Sequence, residues 1–240
     1  MNYFTFKPPY REKGRTILEV NVLPDKYCPF NCIYCPVDRK KFQHIRTEEV
    51  HFFPGLEESL QALEEALQRT RPDLVFLNAR GEAVLNQDLP RILEFLRARS
   101  MPVRLLSNGY LLARTPYREL ADRCEEVVGE LKNWREEDFQ RTQRPLPGYT
   151  LAQYTENLLT FRRQYTGRFL FEATVVKGDN DSPEAVAWLR SFVKELQPDE
   201  LILETVSEEP FSRKLQVDSE RMAQIAADVR SAWMAAVKRG

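Results

Sequence analysis

The sequence lacks several features that would place it in a specialised class of protein. No apolar run approaches the roughly 18–20 residues of a membrane-spanning helix, which argues against a membrane protein. Neither charge is in excess, because 35 basic and 36 acidic side chains leave a formal net charge of −1. This balance argues against unspecific binding to nucleic acid. Four cysteines in 240 residues argue against a disulfide framework.

The start of the chain also lacks the pattern of a secretory signal. Its first residues, MNYFTFKPPYREKGRT, are too polar and too basic for a signal peptide, so we expect a cytoplasmic protein with reduced thiols. A hydrophobic content of 42% is sufficient for one sizeable core, and no linker or repeat interrupts the chain. The sequence therefore predicts a single domain over residues 1–240.

Three of the four cysteines lie together in the segment CPFNCIYC. Cys28, Cys32 and Cys35 have the spacing C-x3-C-x2-C, and no fourth cysteine or histidine follows closely. A structural zinc site takes four protein ligands, and an electron-transfer iron–sulfur cluster is normally held by four cysteines. Three thiolates instead indicate a cluster with one open iron, at which a small molecule can chelate.

Other interpretations of the cysteines remain open at this point. A zinc site that borrows His44, His51 or Cys124 is possible on counting grounds, although the histidines lie in no recognisable ligand spacing. Burial of the three cysteines as small apolar residues is a further alternative. Prolines and an asparagine within the segment argue against that alternative.

Apolar runs rich in β-branched residues alternate with helical patterns, which is typical of βα units and a parallel sheet. The predicted strands are Thr16–Leu23, Leu74–Asn78, Val103–Leu106, Val127–Lys132, Phe169–Val176 and Leu201–Val206. The predicted helices run from Leu56 to Thr70, through Leu89 to Leu96, from Thr115–Pro116, from Thr150 to about Tyr165, from Ser182–Pro183, and through Met222 to Val237. Six such units predict an α/β fold, a partial (β/α)6 barrel of TIM type with a mostly parallel sheet.

Further motifs accompany the cysteines. An aromatic residue, Tyr34, precedes the last cysteine, GEAVL begins at Gly81 after the second predicted strand, and SNG begins at Ser107 after the third. With these motifs the chain resembles the radical S-adenosylmethionine (radical SAM) superfamily. The resemblance implies a [4Fe-4S] cluster on the three cysteines, S-adenosylmethionine on its open iron, and a 5′-deoxyadenosyl radical that abstracts hydrogen from a substrate. It also implies the partial barrel and a reductant such as flavodoxin or ferredoxin.

The resemblance assigns cofactor-binding roles to individual residues. Gly81 and Glu82 match the element that contacts the methionine amino group, although the usual family form is GEPTL. Ser107 and Asn108 match an element near the cofactor ribose or methionine, and Tyr34 fits the pattern of the cysteine loop. A carboxylate suits a nearby ammonium, and a glycine permits close approach of the backbone.

The fourth predicted strand departs from the family pattern. Many relatives read SLDA where this chain reads Glu130–Leu131–Lys132–Asn133. Because strand side chains alternate, Glu130 and Lys132 share one face. Glu130 would accept hydrogen bonds from the ribose diol, and Lys132 would meet an anionic substrate or pair with Glu172; a structural ion pair across neighbouring strands is the alternative. The catalytic groups are therefore unassigned, with Lys132 and Glu172 as candidates.

Longer segments resemble a subgroup that includes the wyosine-synthase-like oxidoreductases. These segments are PPYREKGRTILEVNVLP, RTQRPLPG and FEATVVKGDND, and the subgroup's TVTRPP has the counterpart TVSEEP with Glu208 in place of arginine. Wyosine synthases use a second cluster on additional cysteines, whereas only Cys124 remains here, on a predicted helix and buried. We therefore expect a single-cluster member.

Two functional hypotheses follow. The first is a radical SAM enzyme that cleaves S-adenosylmethionine reductively and acts on an RNA, a peptide or a metabolite, with no support for RNA from the charge. The alternative is a non-catalytic iron–sulfur or zinc binding module derived from this fold. The departures at Ala83, Lys132 and Glu208 give the alternative some weight, and the enzyme is the leading hypothesis.

Overall fold

The computed structural model describes residues 1–237, and its contacts divide the chain into two compact units. The first unit consists of Met1–Phe30, Val37–Ser107 and Thr115–Val127. The second consists of Asn31–Pro36, Asn108–Arg114 and the chain from Val128 onward. The single domain over residues 1–240 stays a prediction.

The first unit is built around parallel strands with short antiparallel additions. Its strands are β1 (Thr5–Phe6), β2 (Tyr10–Glu12), β3 (Arg15–Asn21), β4 (Lys26–Cys28), β5 (His44–Arg46), β6 (Leu74–Leu77) and β7 (Val103–Ser107), and its helices are α1 (Leu56–Thr70), α2 (Leu89–Arg97) and α3 (Tyr117–Ala121). Strands β3, β6 and β7 pair in parallel, whereas β1 and β2 pair antiparallel with β3. A separate parallel pair joins β4 to β5.

Apolar periodicity explains why these helices form and which face they bury. The predicted stripe of Leu56, Leu60, Leu63 and Leu67 on α1 is buried. In α2 the buried residues are Leu89, Ile92, Leu93 and Leu96, and a proline occupies its first turn. A spacing of three and four residues places such side chains on one helical face, which packs against the apolar strands.

The second unit follows the same βα pattern. Its strands are β8 (Glu126–Leu131, whose first two residues belong to the first unit), β9 (Arg168–Val175) and β10 (Glu200–Thr205), and its helices are α4 (Glu136–Asp138), α5 (Leu151–Gln164), α6 (Pro183–Leu196), α7 (Ser212–Leu215) and α8 (Ser219–Val237). A π-helical turn covers Phe139–Gln143. Strands β9 and β10 are parallel, with Glu172 opposite Ile202.

Two predicted helix starts are confirmed by their caps. The Thr150 hydroxyl accepts a hydrogen bond of 3.2 Å from the Gln153 amide at the start of α5. The Ser182 hydroxyl accepts a hydrogen bond of 3.2 Å from the Ala185 amide at the start of α6, and Pro183 is the first helical residue. Each cap satisfies an amide that has no partner within its helix.

Some boundaries differ from the prediction. Helix α3 begins at Tyr117, so Pro116 precedes it and Thr115 is not its cap. Because α3 ends at Ala121, Cys124 lies in the turn after the helix rather than on it, although it is buried as predicted. Strand β8 ends at Leu131, which leaves Lys132 just beyond the strand. No helix in the described part of the chain is both long and apolar enough to cross a membrane.

Candidate active site

The first cysteine is fixed by backbone pairing in the first unit. Cys28 is the last residue of β4 and lies opposite Arg46 of β5. The carbonyl of Cys28 accepts a hydrogen bond of 3.1 Å from the Thr47 amide. The sulfur accepts a hydrogen bond of 3.4 Å from the Phe30 amide. Such N–H···S contacts are typical of cysteines that bind iron–sulfur clusters, because they stabilise the thiolate.

The other two cysteines belong to the second unit. Cys32 and Cys35 are both partly exposed, and the Cys35 amide donates a 3.3 Å hydrogen bond to the Cys32 carbonyl. A single turn therefore carries both thiols. The Ile33 amide in this turn donates to the Thr142 carbonyl over 2.8 Å, which anchors the loop to the π-helical segment.

Buried amide and hydroxyl groups hold that anchoring segment in place. The Asn31 amide donates to the Gln143 carbonyl over 2.9 Å. The side chain of Gln143 accepts from Asn133 over 2.8 Å, and Thr142 donates to the Asn133 side chain over 3.1 Å. Buried polar groups of this kind are stable only when they are hydrogen-bonded. No role could be predicted for these three residues from sequence, because their contacts join the cysteine turn to segments that are distant along the chain.

Tyr34 connects the cysteine turn to an apolar cluster of the second unit. Its ring packs with Val176 and Val206, which follow the ends of β9 and β10. The side chain is buried, and burial raises the pKa of its hydroxyl above the ordinary value of 10.0. Tyr34 therefore anchors the loop, and its contact with a cofactor stays a prediction.

The donor set suits an iron–sulfur cluster. None of the four cysteines forms a disulfide with another cysteine in the described part of the chain. Burial raises the pKa of Cys124 above its ordinary value, and its thiol donates to the Leu120 carbonyl over 3.7 Å. Within residues 1–237, no group of three or more histidine, cysteine, aspartate or glutamate side chains is already gathered around a metal position. The fit of the cysteine loop to a cluster thus rests on the chemistry of its three thiols and on the partial exposure of Cys32 and Cys35.

The histidines of the zinc alternative have other contacts. The Nε2 atom of His44 lies 3.1 Å from the Val37 carbonyl. The ring of His51 packs on Tyr27, with ring centres 4.7 Å apart, and its backbone pairs with Asn86. These contacts give both imidazoles a structural place in the first unit.

Gly81 and Glu82 lie against the residue before Cys28. The Glu82 amide donates a 2.7 Å hydrogen bond to the Tyr27 carbonyl. A Cβ atom at Gly81 would stand 2.1 Å from that carbonyl oxygen, far inside contact distance. Glycine is therefore required at position 81 by the backbone of the cysteine segment, a reason that the motif alone did not reveal.

We expect Gly81→Ala to destabilise the first unit. The new methyl group would force Tyr27 or Gly81 to move, and overpacking of this kind costs about 1–3 kcal/mol of unfolding free energy. Gly178→Ala is the control, because its Cβ meets no atom within 4 Å and only its positive φ opposes the change. Denaturant unfolding should show the larger loss for Gly81→Ala; equal losses would contradict this explanation.

Ser107 joins the same group in the first unit. Its hydroxyl donates a 3.1 Å hydrogen bond to Oε2 of Glu82, whose side chain is fully buried. Glu82 follows β6 and Ser107 ends β7, so adjacent parallel strands bring the two motifs together at their carboxyl ends. A buried carboxylate at such an edge is suited to an ammonium ligand.

Asn108 belongs to the second unit, where a tyrosine fixes its backbone. The Tyr154 hydroxyl contacts the carbonyl oxygens of Asn108 and Glu130, the latter at 2.8 Å. Burial raises the pKa of Tyr154 well above its ordinary value, so the hydroxyl keeps its proton. Tyr154 was not predicted from the sequence, since its apolar neighbours on α5 indicate only a core position.

Lys132 pairs with Glu130 rather than with Glu172. The Lys132 ammonium lies 2.9 Å from the Glu130 carboxylate, and both side chains are largely buried. Burial would lower the pKa of Lys132, but the charge of Glu130, together with other acidic groups nearby, raises it well above the ordinary value. The ion pair thus joins two residues on the same face of one strand end, not two neighbouring strands.

Glu172 lies close to this ion pair and holds a proton. Burial, and then the negative charges of Glu130 and Glu204, raise the pKa of Glu172 to about 9. At neutral pH its carboxyl group is therefore neutral and can donate a hydrogen bond. The three side chains together carry one positive and one negative charge.

The pKa of Glu172 predicts a pH-dependent stability. Because the folded-state value is above the unfolded value of 4.5, the native protein keeps a proton that the unfolded chain releases. The free energy of unfolding should fall as pH rises from about 4.5 to 9. Glu172→Gln should flatten this dependence in denaturant titrations, whereas Glu195→Gln, at an exposed position of α6, should not. Equal slopes for both variants would contradict the assignment.

Comparisons with known proteins fit this geometry. Residues 23–189 match the family described as the radical SAM superfamily. The UPF0026 protein MJ1312 of Methanocaldococcus jannaschii is 24% identical over 208 residues, which are 87% of this chain and 64% of that protein. The chain thus spans less than two thirds of the length of this relative.

Two solved structures share the fold. TYW1 with a lysine-pyruvate adduct bound has a TM-score of 0.63 and 15% identity, over 90% of this chain and 73% of that chain. A radical SAM methyltransferase from Sphaerobacter thermophilus has a TM-score of 0.68 and 13% identity, over 97% of this chain and 75% of that chain. At these identities the likeness concerns the fold. It confirms the predicted α/β partial barrel with a mostly parallel sheet.

The family match covers most of the chain and includes the cysteine segment, Gly81–Glu82 and Ser107–Asn108. The predicted family, whose members use an iron–sulfur cluster, is therefore confirmed. This protein belongs to the radical SAM superfamily, whose enzymes use a [4Fe-4S] cluster and S-adenosylmethionine.

Proposed function

We propose that this protein cleaves S-adenosylmethionine reductively and uses the product to abstract hydrogen from a substrate. Cys28, Cys32 and Cys35 would hold the cluster. When bound, the cluster and S-adenosylmethionine supply the one-electron cleavage of the sulfonium and the radical chemistry. The observation that carries the proposal is the trio of thiols, none of them in a disulfide, in a loop whose first sulfur receives an amide hydrogen bond.

The remaining residues would bind and orient the cofactor. Glu82 would receive the methionine ammonium, because its buried carboxylate accepts a hydrogen bond from Ser107 and its backbone amide is held by the Tyr27 carbonyl. Glu130 would accept from the ribose diol, and Asn108 would line the site near the methionine or ribose. A charged carboxylate buried beside a cationic ligand binds it more strongly than the same group in water.

Lys132 and Glu172 are our candidates for contact with the substrate. The ammonium of Lys132 offers charge to an anionic group, and the neutral carboxyl group of Glu172 offers a hydrogen bond to an acceptor. The substrate class stays open between RNA, a peptide and a metabolite. We place the protein in the cytoplasm, with flavodoxin or ferredoxin as the reductant.

Anaerobic reconstitution followed by reduction with dithionite tests the proposal. We expect about four irons with matching sulfide per chain, and release of 5′-deoxyadenosine from S-adenosylmethionine. A non-catalytic binding module would load metal without releasing 5′-deoxyadenosine. Stoichiometric zinc in place of iron and sulfide would overturn the proposal altogether.

A further inference from the structure

A lysine lies buried two residues before the first cluster cysteine. Lys26 begins β4 in the first unit, and only 4% of its surface is exposed. Lysine is almost never buried to this extent unless it is paired with an opposite charge. An uncompensated ammonium in a protein interior costs several kcal/mol, so its presence needs an explanation.

The partner that the structure gives this ammonium is a backbone carbonyl. Nζ of Lys26 donates to the carbonyl oxygen of Phe30 over 2.5 Å. Over residues 1–237, no carboxylate oxygen lies within the 4.0 Å of an ion pair with Lys26. One carbonyl dipole satisfies one of the three ammonium hydrogens, and no carboxylate within ion-pair distance in residues 1–237 balances the positive charge.

One residue, Phe30, contacts both the ammonium and a cluster ligand through its two backbone groups. The Phe30 carbonyl accepts from Lys26, while the Phe30 amide donates to the sulfur of Cys28 over 3.4 Å. Bond lengths limit the separation of the ammonium and the sulfur to about 10 Å. The buried positive charge thus lies within about 10 Å of the sulfur of Cys28.

The position of Lys26 is fixed by the strand that carries it. Its amide donates to the Gln43 carbonyl over 2.9 Å, and the residue lies opposite His44 in the pairing of β4 with β5. Burial first, and then the positive charges of Lys26 and Arg39, lower the pKa of His44. The charge of Lys26 therefore acts on the imidazole of this neighbouring residue. A rigid strand therefore holds a positive charge beside the cysteine loop.

We propose that Lys26 is the resident counter-charge of the anionic cluster and raises its reduction potential. This inference rests on the proposed function. Three thiolates and a [4Fe-4S] core carry net negative charge, which grows by one unit on reduction. A nearby positive charge stabilises the reduced form more than the oxidised form, and cluster potentials respond to net charge and to hydrogen bonds at the sulfurs. Lys26 is thus a positioning and electrostatic residue rather than a ligand.

The test is a redox titration of the reconstituted cluster, followed by electron paramagnetic resonance, in the wild type and in Lys26→Met. A unit charge at about 10 Å in a medium of effective dielectric constant of about 20 changes an equilibrium about tenfold. We expect the ratio of reduced to oxidised cluster at a fixed potential to fall about tenfold in Lys26→Met. For a one-electron couple this is a shift of about 59 mV toward more negative potential.

Three companion variants separate charge from structure. Lys26→Arg keeps the charge and should keep the wild-type potential. Lys26→Gln keeps a donor for the Phe30 carbonyl without the charge, and it replaces Lys26→Met in the comparison if the methionine variant folds poorly. Lys41→Met removes an exposed lysine after the cysteine loop and should leave the potential unchanged, because solvent screens its charge.

The outcomes distinguish this inference from the proposed function. If the wild type binds no cluster, the proposed function fails. If the wild type loads its cluster but Lys26→Gln titrates at the wild-type potential, or shifts no more than Lys41→Met, the role of Lys26 is overturned and the proposed function stands. Iron and sulfide analysis of each variant shows which case applies.

Discussion

The Cys32→Ala variant is expected to lose its cluster and its ability to cleave S-adenosylmethionine. Removing one of three thiolates leaves too few ligands for a stable cluster. Mutation of residues that only hydrogen-bond to metal ligands already lowers metal affinity about 10–100-fold, so the loss of a ligand should have a larger effect. We therefore expect iron near background and 5′-deoxyadenosine below about one hundredth of the wild-type amount. Iron and sulfide analysis and chromatography of the nucleoside products measure both effects.

The matched control is Cys124→Ala. This thiol is buried, bonds to the carbonyl of Leu120 and has a raised pKa, so it has the properties of a structural cysteine. Its replacement should reduce stability slightly and leave the iron content and the cleavage intact. Full cleavage by Cys32→Ala, or loss of the cluster in Cys124→Ala, would contradict the assignment of the ligands.

The second large effect is expected from Glu82→Gln. Glutamine has nearly the same shape, so the contact with Ser107 and the backbone bond to Tyr27 can remain, but the negative charge is lost. A hydrogen bond to a charged group contributes about 1.5–3 kcal/mol. The affinity for S-adenosylmethionine should therefore fall about 10–100-fold, as measured by equilibrium binding to the reconstituted protein.

Ser107→Ala provides the comparison for this prediction. It removes one neutral donor to the Glu82 carboxylate and leaves the charge in place, so its effect on the affinity should be less than about tenfold. Both variants should load iron as the wild type does, because neither side chain is a cluster ligand in this account. An affinity of Glu82→Gln equal to that of the wild type would remove Glu82 from the cofactor site.

The motifs of this chain could be read from the sequence because they are local. Cys28, Cys32 and Cys35 lie within eight residues, and their spacing alone indicates a ligand set with an open position. The α/β class followed from the alternation of apolar strands with amphipathic helices, and the caps at Thr150 and Ser182 were recognisable from single residue types.

The contacts that position the site could not be predicted, because they join distant segments. The requirement for glycine at position 81 comes from the carbonyl of Tyr27, and the anchoring of the cysteine turn comes from Thr142. Lys26 appears in the sequence as an ordinary charged residue, and only its burial reveals an unusual environment. Lys132 appeared able to pair with Glu172, but the strand end brings its ammonium to Glu130 instead.

The central claim is that three cysteines hold a cluster with one iron free for S-adenosylmethionine. The most direct test is electron paramagnetic resonance of the reconstituted and reduced protein, recorded with and without S-adenosylmethionine. We predict a [4Fe-4S] signal whose g values change when S-adenosylmethionine binds. An intact cluster whose spectrum does not respond, or anaerobic material with no such cluster, would contradict the account.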